Sequence, residues 1–262
     1  MERKKCRRCQ KNKVCEEFKI NKKGNLMSTC ILCLNDEKEY RKKQKETVSK
    51  VLREPSKKQK KVLKRIKENY NVIIQAVAGA GKTTTSLHVG LDNSDKKIAL
   101  ITYSSRLKTE TKSKCVDFNI NNLDVFSYHS FCKRFYDNSD GLLKDSDIVE
   151  ILEKNLPKIN FSCYDIIIID EAQDMTPLYY MIIVKIVKDN IDYDLVTESY
   201  IHNQPQLVML GDKKQSIFKH NGSDARYLEK ELLKILFKNN NLSWKDVKLS
   251  ESFRVPVNVV NF

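Results

Sequence analysis

One stretch of the chain has the residue types and spacing to hold a nucleoside triphosphate. Residues 76–85 read Ala-Val-Ala-Gly-Ala-Gly-Lys-Thr-Thr-Thr and follow an apolar run at 72–74. Backbone N–H groups of such a glycine-containing turn can surround phosphates, the Lys82 ammonium can reach the β- and γ-phosphates, and the Thr83 hydroxyl can hold Mg²⁺. Ala76 replaces the usual first glycine, and alanine is tolerated there if its φ stays negative. We therefore expect ATP to bind at Ala78, Gly79, Ala80, Gly81, Lys82, Thr83 and Thr84.

A second stretch supplies the carboxylates that such a site needs. Residues 166–174 read Ile-Ile-Ile-Ile-Asp-Glu-Ala-Gln-Asp, which predicts a buried strand that ends in two acids. Asp170 can hold Mg²⁺, and Glu171 can orient or deprotonate the attacking water. The two stretches, in this order, predict a motor protein that hydrolyses a nucleoside triphosphate such as ATP.

Four cysteines near the N-terminus have the spacing of a metal site. Cys6 and Cys9 form one C-x2-C pair, Cys30 and Cys33 form another, and 20 residues separate the pairs. Four thiolates in this pattern fit a tetrahedral Zn²⁺, which would stabilise a segment too small and polar to fold on an apolar core alone. Cys15 fits neither pair. The alternative is a set of reduced or redox-active thiols.

The order of apolar and polar segments predicts an α/β fold with a parallel sheet. A helix is expected from Lys82 to about Leu91, and residues 137–162 and 190–205 are expected to be surface insertions because they are polar and irregular. Phe126, Phe131 and Phe135 fit a core role better than a DNA contact. The predicted strands are 72–78, 98–103, 124–128, 165–170, 206–211 and 247–250.

The positive charge lies almost entirely in the N-terminal part. Residues 1–70 hold 24 Lys and Arg against 9 Asp and Glu, whereas the whole 262-residue chain has a net charge of +14. This asymmetry favours a nucleic-acid partner bound through its phosphates, although a solvated lysine-rich segment is the alternative. The first 20 residues lack the apolar core of a secretory signal, and no apolar stretch is long enough for a transmembrane helix. We expect an intracellular protein of the nucleus or cytoplasm, with no membrane partner.

Five further stretches, with the two above, follow the motif order of one helicase family. They are Pro55-Ser-Lys-Lys-Gln59, Leu100-Ile-Thr-Tyr103-Ser-Ser-Arg106, Phe126-Ser-Tyr128-His129-Ser-Phe131, Leu210-Gly-Asp212-Lys-Lys-Gln215-Ser-Ile-Phe218 and Leu249-Ser-Glu-Ser-Phe253-Arg254. With these motifs the chain resembles the superfamily 1 helicases of the UvrD/Rep type, including their F-box helicase branch. The resemblance covers residues 55–256 and implies a RecA-like P-loop domain.

The resemblance also implies roles for individual residues. Gln59 would read the adenine edge, and Phe253 would lie near the adenine. Gln215 would sense the γ-phosphate, and Arg254 would contact it as an arginine finger. The residues that would line the path of single-stranded DNA are Tyr103, Arg106, Tyr128, His129 and His220. His220 stands where the family has a base-stacking tryptophan, and Trp244, which lies outside any motif, is expected to pack in the core.

The N-terminal cysteines carry a second resemblance. The segment from Lys4 to Lys43, with its basic residues around the cysteines, resembles treble-clef zinc fingers found beside HNH nucleases. The catalytic histidines of such nucleases are missing from it, which favours a binding or structural finger. The expected organisation is a small zinc-binding module at 1–45, a basic helical linker at 46–68 that carries the glutamine motif, and a RecA-like P-loop domain at 69–262.

The later family motifs, which belong to a second RecA-like domain, are missing from the sequence. We therefore expect the N-terminal portion of an ATP-dependent DNA helicase or translocase, completed by a downstream region or a second chain, with weak activity alone. The expected cofactors are ATP, Mg²⁺ and Zn²⁺. The expected partner is single-stranded or forked DNA, with RNA left open. The alternatives are an ATP-gated nucleic-acid-binding module without unwinding activity and a structural adaptor.

Overall fold

The computed structural model divides into two compact units, Met1–Val51 and Leu52–Phe262. The residues that it describes are 3–7, 10–20, 25–33, 35, 51–137, 140–159, 163–190, 193–194, 199–200, 204–215, 223–238 and 240–253.

The N-terminal unit is built from two short antiparallel hairpins. Strand β1 (Arg3–Lys5) pairs with β2 (Asn12–Val14), and β3 (Phe18–Ile20) pairs with β4 (Leu26–Cys30). Its small buried cluster consists of Cys6, Phe18, Cys30 and Cys33. Among the described residues of this unit, these three cysteines and one phenylalanine bury little apolar surface.

The second unit alternates strands and helices along the chain. Within its described residues, the helices are α1 (Lys57–Lys67), α2 (Lys82–Asp92), α3 (Ser105–Asp117), α4 (Tyr128–Phe135), α5 (Asp145–Glu153), α6 (Pro177–Asp189) and α7 (Lys230–Leu236). The strands are β5 (Asn71–Ala76), β6 (Ile98–Thr102), β7 (Leu123–Ser127), β8 (Ile166–Asp170), β9 (Tyr193–Asp194), β10 (Ser199–Tyr200), β11 (Gln206–Gly211) and β12 (Trp244–Leu249).

Six of these strands form one parallel sheet in the order β12-β5-β11-β8-β6-β7. The alternating residues of each central strand enter two different apolar clusters, so that Ile167 and Ile169 pack on one face and Ile166 and Ile168 on the other. Burial on both faces explains why these strands are apolar throughout. The prediction of an α/β parallel sheet is confirmed, and all six predicted strands form it.

Helix α1 belongs to the second unit rather than to a linker. Val62, Leu63 and Ile66 are buried in the same cluster as β5 and β12, and the helix packs on both strands. The sequence placed the domain boundary at residue 69 because lysines dominate this helix. The lysines lie on its outer face, while the apolar residues at positions i, i+1 and i+4 cover the sheet. The compact units divide after Val51.

The segment 137–162 is more regular than its composition indicated. It contains helix α5, whose Ile148 and Ile151 are buried in the main core. Two buried isoleucines one turn apart are enough to anchor a short helix whose other residues are polar. Segment 190–205 contains only the two-residue strands β9 and β10 among its described residues. Trp244 is buried at the start of β12, which confirms the packing role expected for it.

Among the described residues, no helix has both the length and the apolar character needed to cross a membrane.

Candidate functional site

The phosphate loop joins β5 to α2 at the carboxyl edge of the sheet. Gly79 and Gly81 have φ values of 71° and 80°, a left-handed backbone that glycine adopts without strain. Helix α2 begins at Lys82, so its N-terminal N–H groups point into the turn, where they favour an anion. Ala76 is still part of β5 and is not among the residues with positive φ, so its methyl group is tolerated. The loop residues 78–84 line a cavity of about 820 Å³.

Lys82 and Glu171 meet across this cavity. The Lys82 ammonium lies 2.8 Å from the Glu171 carboxylate, and both side chains are largely buried. Glu171 follows β8 in a left-handed conformation with φ 55°, which is unusual for a residue with a side chain and turns it towards the lysine. A bound triphosphate would compete with Glu171 for the Lys82 ammonium.

Gln173 connects Glu171 to the neighbouring strand. Its Nε2 donates to the Glu171 carboxylate at 2.9 Å, and its Oε1 accepts from the backbone N–H of Asp212 at 3.0 Å. Gly211 precedes Asp212 at the end of β11, and a Cβ there would lie 2.3 Å from Gln173 Oε1. The acidic motif by itself predicts no role for Gln173. Gln173 therefore lies between the Glu171 carboxylate and the turn that carries Gln215.

Asp170 has the environment of a cation ligand. Asp170 is the last residue of β8 and is 1% exposed. Its carboxylate accepts a hydrogen bond from the Glu171 N–H at 2.9 Å. Burial, and then the charge of Glu171, raise the pKa of Asp170 above its usual range, although the Lys82 ammonium opposes this. A divalent cation would relieve that cost, and a carboxylate with the Thr83 hydroxyl is the hard oxygen set that Mg²⁺ prefers. The residues present therefore fit Mg²⁺.

Gln59 lies at the start of α1, beside the phosphate loop. It is 3% exposed, its Nε2 donates to Thr85 Oγ1 at 3.0 Å and to the Gly81 carbonyl at 3.4 Å, and its Oε1 accepts from the Ser56 N–H at 2.9 Å. The side chain lines the cavity beside the phosphate loop, and its amide bonds to the loop and to the helix N-terminus.

Further parts of the cavity wall come from α3, from the chain before α1 and from the chain after β12. The Phe253 N–H donates to the Gly79 carbonyl at 2.9 Å, and its half-exposed ring lies under the Arg53 guanidinium at 5.5 Å. Gln215 also lines the cavity, from the turn after β11. Arg254, the expected arginine finger, lies outside the described residues.

The aromatic residues expected to contact DNA have unequal exposure. Tyr128 is 1% exposed and stacks on Tyr179 with ring centroids 4.6 Å apart. In this position it presents no ring face to a base, which contradicts a direct DNA contact by Tyr128. The reason is that α4 begins at Tyr128 and its apolar side, with Phe131 and Phe135, faces the core. Those two phenylalanines and Phe126 are buried, as predicted.

Tyr103 and His129 do reach the surface. Tyr103 is 37% exposed and contacts Tyr179 edge-on at 5.6 Å. Asp145 Oδ1 accepts from the Tyr179 hydroxyl at 2.8 Å and lies 2.9 Å from His129 Nε2. We call the exposed surface formed by Tyr103 and His129, with Tyr179 and Asp145 behind it, the aromatic edge.

Of the other two residues expected along the DNA path, Arg106 is described and lies on the surface. The Arg106 side chain is 88% exposed and pairs with Glu110 one turn along α3 at 2.8 Å. His220 lies outside the described residues. Sequence reasoning missed Tyr179 and Asp145 because neither lies in a motif. The sequence feature that could have indicated Tyr179 is its place in the first turn of α6, just after the helix start at Thr176-Pro177.

Three of the four predicted zinc ligands lie close together in the N-terminal unit. The sulfur atoms of Cys6, Cys30 and Cys33 lie within 4.8 Å of one another, and the Cys30 N–H donates to Cys6 Sγ at 3.3 Å. Sulfur atoms bound to one tetrahedral Zn²⁺ are about 3.8 Å apart, given Zn–S bonds of about 2.3 Å. The three thiols therefore fit Zn²⁺. Cys9, the fourth expected ligand, lies outside the described residues.

Comparison with protein families places part of the second unit. Residues 148–234 match the model of the UvrD/REP helicase N-terminal domain. This match includes Asp170, Glu171, Gln173 and Gln215, and it confirms the resemblance to UvrD/Rep-type helicases. Among curated protein sequences, none matches the chain significantly.

Solved helicase structures resemble the chain at low identity. The Pif1 helicase from Candida albicans is 17% identical, with a TM-score of 0.44 over 77% of this chain and 41% of the helicase. A Bacteroides Pif1 helicase, solved with ADP-AlF3 and ssDNA, is 18% identical, with a TM-score of 0.43 over 81% of this chain and 45% of the helicase. The chain thus spans less than half the length of these helicases.

Proposed function

We propose that the chain is the nucleotide-binding part of an ATP-dependent DNA helicase or translocase. The observation that carries the proposal is the meeting of Lys82 and Glu171 at 2.8 Å in a cavity lined by the loop 78–84. The two residues come from motifs about ninety positions apart, and the second motif lies in the segment that matches the UvrD/REP helicase N-terminal domain. In enzymes that hydrolyse nucleoside triphosphates, a loop binds the phosphates while a nearby residue orients the attacking water, and the positions of Lys82 and Glu171 support this role.

Each side chain has a distinct task in this proposal. The loop N–H groups and the Lys82 ammonium bind the triphosphate, and the Thr83 hydroxyl with Asp170 would hold Mg²⁺, which neutralises phosphate charge. Glu171, released from Lys82 by the incoming phosphates, orients the attacking water and accepts its proton. Gln173 fixes the position of Glu171 through its contact with Asp212. Gln215 and Arg254 would contact the γ-phosphate.

The nucleic-acid path in this proposal follows the aromatic edge. Exposed aromatic rings stack bases without sequence preference, at about 1–3 kcal/mol per base. Tyr103 offers such a face at the carboxyl end of β6, near the strand end that carries Glu171. We propose that this edge holds single-stranded or forked DNA, and that the basic N-terminal unit adds affinity through phosphates.

Zn²⁺ bound by Cys6, Cys9, Cys30 and Cys33 would make the N-terminal unit fold. Its test is metal analysis of the purified chain beside a Cys30→Ser variant, with Cys15→Ser as the control. We expect one zinc per wild-type and C15S chain, and loss of zinc and of N-terminal unit structure in C30S. Equal zinc in all three proteins would contradict the site.

A second candidate function is an ATP-gated nucleic-acid-binding module that does not turn over. The Lys82–Glu171 ion pair favours it, because nucleotide binding must break this pair and so changes the site even without hydrolysis. It predicts ATP binding and salt-sensitive DNA binding with negligible turnover.

The deciding experiment measures ATP turnover by the 262-residue chain with and without single-stranded DNA, beside a Lys82→Ala control. Turnover that DNA stimulates and that K82A loses supports the helicase-type enzyme. ATP binding without turnover supports the gated module. A chain that binds no ATP would refute both.

A further inference from the structure

A second cavity, of about 400 Å³, lies at the amino end of the sheet, where β12 begins. The six residues of β5 separate this end of the sheet from the phosphate loop, a distance of about 20 Å at roughly 3.3 Å per residue. Among the described residues, no acidic residue and no arginine lines this cavity. Four lysines do, and we call it the basic cavity: Lys230, Lys234, Lys238 and Lys245.

The charges of these lysines are only partly compensated. Lys234 pairs with Glu231 at 3.1 Å, and Lys245 Nζ lies 4.9 Å from the centre of the Tyr70 ring. Within the part of the chain that the structure describes, Lys230 and Lys238 form no ion pair. Like charges around one cavity repel one another, and a bound polyanion would replace that repulsion with attraction.

Buried hydrogen bonds fix the turn 240–243, which forms part of the cavity wall. Asn71 is fully buried, and its Nδ2 donates to Asn240 Oδ1 at 3.1 Å and to the Leu242 carbonyl at 3.2 Å. Asn240 Nδ2 donates to the Pro205 carbonyl at 2.9 Å, and Asn240 Oδ1 also accepts from the Leu242 N–H at 3.0 Å. A ligand of this cavity therefore does not have to order the turn, which lowers the free-energy cost of binding.

The chemistry of the lining favours the phosphate backbone of a duplex. Lysine is a point charge without the fixed two-pronged geometry of arginine, so several lysines suit a row of phosphates better than one small anion. Phe237 and Trp244 also line the cavity, but they are only 5% and 4% exposed and offer no ring face to an unpaired base. The bases of a duplex are already stacked in its interior, so phosphate contacts alone can hold it.

We propose that the basic cavity binds the phosphate backbone of double-stranded DNA, as a second nucleic-acid site at the end of the sheet opposite to the aromatic edge. On forked DNA, the aromatic edge would hold the single strand and the basic cavity would hold the duplex arm. The inference rests on the DNA partner of the proposed function and adds a contact surface to it.

The test measures binding of the full chain to a labelled duplex of about 20 base pairs and to a labelled single strand of about 12 nucleotides. Fluorescence anisotropy is recorded at several salt concentrations. Each lysine–phosphate contact contributes about 0.9 to the slope of log affinity against log salt on duplex DNA. The double variant Lys230→Gln/Lys238→Gln should therefore lower that slope by about 1.8. Wild-type protein should then lose about twelvefold more duplex affinity than this variant between about 50 and about 200 mM salt. Affinity for the single strand should stay close to wild type.

Lys61→Gln/Lys154→Gln is the matched control, because it removes the same charge from two exposed lysines that do not line the cavity. This control should leave the duplex slope unchanged, and thermal melts show that each variant is folded. The basic N-terminal unit is the same in all three proteins, so it does not affect the comparison.

The proposal is overturned if both double variants lower the slope equally, since net charge alone would then explain the effect. It is also overturned if K230Q/K238Q leaves duplex binding unchanged, or weakens the single strand as much as the duplex. Those results leave the proposed helicase-type function intact. A wild-type chain that binds neither DNA would instead refute the DNA partner of that function together with the basic cavity.

Discussion

The nucleotide cavity and the aromatic edge both lie at the carboxyl end of the sheet, but different features of the sequence determine their geometry. In the cavity, the loop 78–84 acts mainly through its backbone, and its geometry follows from Gly79 and Gly81. At the aromatic edge, Tyr103 is 37% exposed whereas Tyr128, from an equally recognisable motif, is 1% exposed. The geometry of a site built from consecutive backbone groups is therefore determined by the local sequence. The exposure of a site built from side-chain faces depends on residues distant in sequence that pack against them.

The largest expected effect is a loss of ATP turnover without a loss of ATP binding. Glu171→Gln should lower ATP turnover by roughly 10²–10⁴-fold, the usual contribution of a general base. The same change removes the negative charge that holds Lys82 at 2.8 Å. ATP should therefore bind at least as tightly as to wild-type protein, and single-stranded DNA should bind equally well. Steady-state turnover and nucleotide titration check this, and unchanged turnover would remove Glu171 from the mechanism.

The next prediction tests whether Gln173 links the position of Glu171 to the end of β11. In Gly211→Ala the new methyl group would lie 2.3 Å from Gln173 Oε1 and 2.7 Å from Leu228 Cδ1, so Gln173 must move. Overpacking of this kind costs about 1–3 kcal/mol of unfolding free energy. Displacing Glu171 through Gln173 should lower turnover by roughly ten- to a hundredfold.

Gly90→Ala provides the control for that prediction. Its added methyl group would lie 2.7 Å from Ile120 Cγ2, which is also too close, but the contact is apolar and Gly90 does not line the nucleotide cavity. G90A should lower the melting temperature while turnover per folded molecule stays close to wild type. If both variants lose the same fraction of turnover, the link through Gln173 is refuted.

The same contrast explains what the sequence predicted and what it did not. Strand positions followed from apolar runs such as 166–169, because a strand buried on both faces needs apolar residues throughout. Helix α1 was misplaced in a linker because its lysines outnumber the three side chains that bind it to the sheet. The burial of Tyr128 depends on Tyr179, which is about fifty residues away, and no local pattern reports such a contact.

The aromatic edge can be tested with two tyrosines of opposite exposure. Tyr103→Ala should weaken binding of single-stranded DNA by about tenfold, since base stacking contributes about 1–3 kcal/mol per base. Tyr128→Phe removes a buried hydroxyl that has no hydrogen-bond partner among the described residues, so DNA affinity and stability should both stay near wild type. Fluorescence anisotropy with a labelled oligonucleotide measures both. A larger loss in Y128F than in Y103A would mean that α4 rearranges on DNA.

The smallest effect concerns Asp145 at the aromatic edge, whose carboxylate lies 2.8 Å from the Tyr179 hydroxyl and 2.9 Å from His129 Nε2. Asp145→Asn keeps an oxygen acceptor but removes a largely exposed negative charge beside the proposed DNA path. DNA affinity should therefore rise by about twofold at low salt, and the gain should fade as salt screens the charge. Asp145→Ala removes the acceptor as well, so Tyr179 and His129 lose their common anchor and the gain should disappear. A gain in D145A equal to that in D145N would show that Asp145 acts by charge alone, and that the aromatic edge needs no support from α5.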